Sequence, residues 1–290
     1  MISTAVILSA LELGCIYALV ALALFLSFRI LNIADMTTDG SFTLGCAVSA
    51  TVAVAGYPIL ALPAAMAAGA AAGFITAWLQ TKFRIPSILA GIITNTGLYT
   101  VNLAVMGFSS NVNMLKTDTI FSLLKPFLGT GYKLIPAYLL TALVAVVLVL
   151  FLNTRLGLSI RATGDNADMV RASSINTAFT VTIGLMLSNS LTALSGAVLA
   201  QYQKTADINL GTGMVIIGLA SLIIGETFLP KGKLWVKALG AVAGSVVYRF
   251  IIAIALRLDL PSECLKLISA VIVALAIGLP AWKAAKKGGN

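Results

Sequence analysis

Histidine is absent from these 290 residues, only 10 of them are acidic, and three are cysteine. The missing imidazole removes the commonest acid–base and metal-ligating side chain. Cys15, Cys46 and Cys264 lie in or beside apolar segments without metal-ligand spacing, so they read as small buried hydrophobes. No GxxxxGK[ST] occurs, so nothing here can cradle nucleotide phosphates. Neither a D…GxGD pair nor a Ser/Lys pair of recognisable context is present, which argues against an intramembrane enzyme. The expectation is therefore a chain with no catalytic residue, cofactor or metal.

What is present is apolar. Hydrophobic residues make up 59% of the chain, charged ones 10%, and the mean hydropathy is +1.02, which places it in a lipid bilayer. Spans of roughly 20 apolar residues are read at about 4–28, 41–56, 58–79, 86–107, 134–153, 178–201, 213–229, 238–257 and 264–282. The predicted fold is all-α: one polytopic membrane domain of about nine helices over residues 1–290. No Lys or Arg precedes the first apolar run, which argues against a cleaved signal peptide. The net charge of +9 is dispersed among apolar segments, a pattern of topology signals and not of nucleic-acid binding. Twelve Lys and Arg, from Arg29 to Lys287, fall in one set of polar gaps and six in the other, with Arg249 left inside a span. The positive-inside rule then puts the first set in the cytoplasm, the N-terminus outside and the C-terminus inside.

Three short patterns recur in order. Ala34-Asp35-Met36 is echoed by Ala206-Asp207-Ile208, and Gly69-Ala70 with Ala72-Gly73 by Gly240-Ala241 with Ala243-Gly244. Pro86-Ser87 is echoed by Pro261-Ser262. The offsets of 172, 171 and 175 residues relate the second, third and fourth spans to the seventh, eighth and ninth. A shift of five spans is odd, so the copies are expected to be inverted, as in many transporters. Repeat one then covers about 4–107, a linking span 134–153, a cytoplasmic loop 154–177, and repeat two about 178–282. The Gly69/Gly73 and Gly240/Gly244 pairs allow close helix contact, within the chain or at a subunit interface.

The longest cytoplasmic loop runs from Asn153 to Thr177. Gly164 is expected to break the chain, and Asp165 or Asn166 to cap a short helix from Ala167 to Ser173. Asp168 suits its first turn and can pair with Arg171, while Met169, Val170 and Ala172 give it an apolar patch. A helix this short is marginal alone in water. An ordered one needs a docking partner; a bare surface loop is the other reading.

The segment Gly164-Asp165-Asn166, Met169-Val170-Arg171-Ala172 and Ile175-Asn176-Thr177 resembles permease subunits of ABC importers. The likeness is to the branched-chain amino acid and simple-sugar type, and within it to a subgroup for amino-acid uptake, aromatic ones included. It continues through Leu187-Ser188-Asn189, Ala193-Leu194-Ser195-Gly196-Ala197, Ala200-Gln201-Tyr202-Gln203, Ala206-Asp207 and Gly218-Leu219-Ala220-Ser221 to Gly225-Glu226. Near the start, Tyr17-Ala18-Leu19 and Phe28-Arg29 to Ile33-Ala34-Asp35 are similar too. Ser174 departs from the pattern, where Gly is expected. The resemblance implies a multi-pass protein of the bacterial inner membrane, paired with a second permease copy or a paralogue. It further implies cytoplasmic ATP-binding subunits, which Arg161, Gly164, Asp165, Asn166, Asp168, Met169, Val170 and Arg171 would couple, and an external substrate-binding protein. A small solute, by resemblance an amino acid, is the expected cargo. An ion-coupled secondary transporter is the alternative, since inverted repeats serve that class equally well.

Polar residues at bilayer depth need a partner or a wet cavity. Glu12 and Glu226 are candidates for the translocation path or for structural pairing, the latter with a neighbour such as Arg249. Asn95, Asn102 and Asn189, within polar runs of the fourth and sixth spans, can line a path or join helices. Asp35, Asp39 and Asp207 sit at repeat-related span entrances, where capping of broken helices is the plain role. Outside, Thr117-Asp118 is expected to cap a short helix at 119–124, and Lys116, Lys125 and Lys133 to receive the binding protein.

Overall fold

A computed structural model describes residues 4–229 and 232–256, and beyond these Leu267, Val271 and Ala274. The ninth expected span, the Pro261-Ser262 echo and Cys264 lie outside the described residues. The helices are α1 (Thr4–Leu24, continued by a π-helical turn, Phe25–Ile30), α2 (Thr38–Val54), α3 (Ala61–Lys82) and α4 (Ser87–Val105). Strand β1 (Asn111–Asn113) and α5 (Ile120–Leu128) follow, then α6 (Leu134–Leu152), α7 (Arg155–Asp165), α8 (Ala167–Ala172) and α9 (Thr177–Gln203). Strand β2 (Thr205–Asp207), α10 (Met214–Phe228) and α11 (Leu234–Leu256) complete the order. Every expected span within the described residues is a helix, and six helices there are long and apolar enough to cross a membrane.

The apolar, small-residue composition of α9 makes it the central axis. From Ser188 to Gln201 it is buried all round. Lipid supplies no hydrophobic drive between helices, so contact rests on close backbone approach. A Cβ at Gly45 would overlap the Ala193 carbonyl of α9, and one at Gly73 the Leu185 carbonyl. Gly69 meets Asn189 and Ala193 in the same way, while Gly244 and Gly225 bring α11 and α10 together. The small-residue pairs thus serve packing within the chain. α3 and α2 lie along α9, as α11 and α10 lie along α1.

Two helices are too short for their expected part. α2 has 17 residues and α10 has 15, about 25 and 22 Å at 1.5 Å per residue, against a hydrocarbon core of about 30 Å. Both start at mid-depth. The turn before α2 doubles back until Asp35 and Ser41 bond Asn189, near the midpoint of the 27-residue α9. From there α2 runs toward the Gln201 end of α9, where Gln201 donates to the Pro58 carbonyl at 2.9 Å. After β2 the chain folds back to the same level, and α10 runs the opposite way, until Glu226 meets Arg29 beyond the end of α1.

The expected loop at 154–177 is largely helical. Gly164 does not break the chain but closes α7, whose missing Cβ at that position admits the Ile30 carbonyl. Thr154 starts α7 by accepting from Gly157 N at 3.3 Å. In the segment between α4 and α6, Thr119 and not Thr117-Asp118 caps α5, by a reciprocal pair with Ser122, and the helix runs through Pro126 to Leu128. Strand β1 pairs antiparallel with β2, Asn111 opposite Asp207, a contact that three-residue strands do not announce in sequence.

Candidate translocation and coupling site

Asp39 carries the mid-depth junction. It stands in the first turn of α2, yet its carboxylate accepts from Gly213 N and Val215 N at the start of α10, each at 2.9 Å. Thr43, one turn on, accepts from Gly211 N at 3.1 Å. One helix thereby caps the other and supplies negative charge to its dipole. Asp35 works beside it: Oδ1 accepts from Thr37 N at 2.8 Å, and Oδ2 from Asn189 Nδ2 at 2.7 Å. The Asn189 amide oxygen takes the Ser41 hydroxyl at 2.6 Å, and Asn102 Nδ2 donates to the Gly40 carbonyl at 3.2 Å. Asn189 and Asn102 therefore join helices in this chain. Asp35 and Asp39 lie half-way along α9, deeper than the span entrance expected for them. Asp207 lies in β2, and its Oδ1 accepts from Asn209 N at 2.8 Å in the turn that Asp35 makes with Thr37. Asn95 is half-buried, its side-chain oxygen against Gly40.

The two acids within spans are also partnered. Tyr202 donates its hydroxyl to Glu12 at 2.7 Å. Glu226 pairs with Arg29 at 2.7 Å, not with Arg249 as expected; Arg249 lies 3.6 Å over the Tyr17 ring on another helix. Of the lysines expected to receive the binding protein, Lys133 rests over Tyr202 and Lys125 over Tyr132.

At the other end, α8 forms as its sequence requires. Asn166 accepts from Asp168 N at 3.1 Å and from Met169 N at 3.0 Å. Arg171 bonds Asp168 at 3.1 Å and reaches Thr177 at the start of α9, also at 3.1 Å. Val170 is buried while Met169 is 57% exposed, so the helix is anchored by one apolar face and presents another. Thr163 and Thr180 share a hydrogen bond of 2.8 Å between α7 and α9. Asn176 caps α9 through Ala178 N and Phe179 N. Beside α8 opens a cavity of about 790 Å³ lined by Gln80, Arg84, Thr163, Arg171 and Thr177; the Gln80 Nε2 there is buried without a partner.

The turn after α8 explains the Ser174 departure. Ile175 N reaches back to the Val170 carbonyl at 3.3 Å, and Ser174 takes φ +60°, the left-handed conformation that favours glycine at this point after a helix. Ser174→Gly is expected to stabilise the α8–α9 corner by about 1 kcal/mol, the cost of a Cβ in that region. Slower hydrogen exchange at Ile175 and Asn176 checks it.

Apolar crossing helices, two short ones meeting at mid-depth, and an ordered helix at one end define a polytopic membrane transport protein. The chain matches the family described as the branched-chain amino acid transport system permease component over residues 6–277, and it belongs to that family. It is 35% identical to a tyrosine transport system permease protein of Clostridioides difficile (strain R20291) over 268 residues, 92% of this chain and 88% of that protein. An uncharacterized protein of Rickettsia prowazekii (strain Madrid E) is 32% identical over 276 residues, 94% of this chain and 96% of the other. A ribose import permease protein of Haemophilus influenzae is 23% identical over 282 residues, 93% and 83% of the two chains. No solved structure matches the chain. The protein is thus an ABC importer permease subunit and not an enzyme, and the ion-coupled alternative gives way.

Proposed function

We propose that this subunit carries an amino acid into a bacterial cytoplasm as half of a permease dimer. ATP-binding subunits sit on α8 and an external binding protein delivers the solute to the opposite face. The observation that carries the coupling role is α8 itself: a capped six-residue helix with Met169 outward, held to α9 by Arg171–Thr177 and Thr163–Thr180. The neighbouring groove, with Arg84, Arg171 and the unpaired Gln80 amide, suits acidic partner side chains. Orientation follows the basic residues, with α8 cytoplasmic and the N-terminus outside. Inversion of the repeats is supported by the exchanged packing of α3 on α9 and α11 on α1, and by the opposite directions of α2 and α10. Amino-acid cargo is supported by the named tyrosine permease relative. Asn189 is committed to the α2 junction, Glu12 to Tyr202 and Glu226 to Arg29, which leaves Asn95 and the unpartnered Oδ1 of Asn102, both on α4, as the path-facing candidates among the five.

Replacing Asp165, Met169 and Arg171 together by alanine tests the coupling role in the complete complex in liposomes. ATP-driven uptake is expected to fall about tenfold or more, as when an interface loses its few dominant contacts. Uptake at the unaltered rate would overturn the assignment.

A further inference from the structure

Arg249 presents a charge at bilayer depth that no acid among the described residues pairs with. It lies on α11 one turn beyond Ser245, whose hydroxyl donates to the Gly14 carbonyl of α1 at 2.9 Å, so the helices touch there. Its guanidinium carbon is 3.6 Å from the centre of the Tyr17 ring. Tyr17 is buried and stacks nearly parallel on Phe42 of α2, with centroids 6.1 Å apart and planes 6° apart. Among the described residues the ion pairs are Arg29–Glu226 and Arg171–Asp168, and Arg249 is in neither. Its Nε is buried and has no hydrogen-bond partner.

The described acids at comparable depth are committed elsewhere. Asp39 holds the start of α10, Asp35 holds Thr37 and Asn189, and Glu12 takes the Tyr202 hydroxyl. A charge in the membrane is costly unless something answers it. Stacking and the contact with the Tyr17 side chain answer only part, because Nε, on the edge that grips a carboxylate in two parallel hydrogen bonds, is left without a partner.

From this arrangement we propose that Arg249 is a transient binding site for the carboxylate of the permeating solute. The assignment rests on the permease function proposed above and narrows it: the cargo is a carboxylate-bearing solute, and a neutral sugar does not fit.

The test uses the whole transporter in liposomes with ATP, measuring uptake of labelled tyrosine and labelled ribose per assembled complex. Arg249→Gln is expected to lower tyrosine uptake about tenfold or more, the effect of losing a charge-assisted hydrogen-bonded pair. Subunit co-purification and ATP hydrolysis should persist, and Arg249→Lys should recover part of the uptake by restoring charge without the fork. Unchanged tyrosine uptake per complex in Arg249→Gln overturns the assignment and leaves the importer function standing. If Arg249→Gln does not assemble, unchanged tyrosine uptake in Arg249→Lys overturns it equally. Uptake of ribose but not tyrosine by the unaltered transporter overturns the amino-acid cargo and the Arg249 site together.

Discussion

Asp39→Ala is expected to detach the start of α10 and abolish transport, the largest loss from any single polar side chain in the molecule. Two backbone N–H groups, Gly213 and Val215, depend on this carboxylate. Mid-depth offers no ready water to replace it, and each donor left buried and unpaired costs about 1–3 kcal/mol. The pair therefore costs about 2–6 kcal/mol, and the negative end of the α10 cap is lost as well. That is a large fraction of a typical folding free energy. Asp39→Asn keeps one acceptor and should fall between. Thermal unfolding of the purified complex gives the order wild type, Asp39→Asn, Asp39→Ala. Equal midpoints for all three would show that α10 is held by packing alone.

The positions of the helices were readable because each is a continuous apolar run, and α2, α4, α6 and α10 begin or end within three residues of the expected bounds. The cap at Asn166 was readable for a related reason: an Asx side chain bonds backbone two or three residues away, so sequence spacing is spatial spacing. Depth was not readable. That α2 and α10 start half-way through the bundle depends on Asp39 finding Gly213 and on Asp35 finding Asn189, partners 174 and 154 residues apart. Asp39 bonds the start of a helix, but that helix is α10 and not its own. The Glu226 partner failed likewise: Arg249 is close in sequence, while Arg29 reaches Glu226 only because α10 runs back beside α1. Gly164 misled because glycine ordinarily marks a break; here it marks a close approach, a use that only the neighbouring backbone discloses.

That close approach yields the second large effect. At Gly164 an added Cβ would run into the Ile30 carbonyl and crowd the Leu31 backbone, neither of which is a flexible side chain that can give way. Gly164 lies in the last turn of α7, two residues before the Asn166 cap of α8, and Ile30 ends the π turn next to Arg29. From Arg29 the chain passes in six residues to Asp35 and the mid-depth junction. A displacement of α8 by a docked partner thus has a short, stiff route, through backbone contact and not through side chains. Gly164→Ala is expected to separate α7 from α1 and to lower uptake at least as far as loss of the α8 surface does. Overpacking of this kind costs about 1–3 kcal/mol, so the complex should still assemble and hydrolyse ATP. ATP hydrolysis and uptake measured on the same liposomes separate the outcomes. Hydrolysis without uptake supports transmission through the Gly164–Ile30 contact, and full uptake would place the route elsewhere, through the Thr163–Thr180 and Arg171–Thr177 bonds to α9.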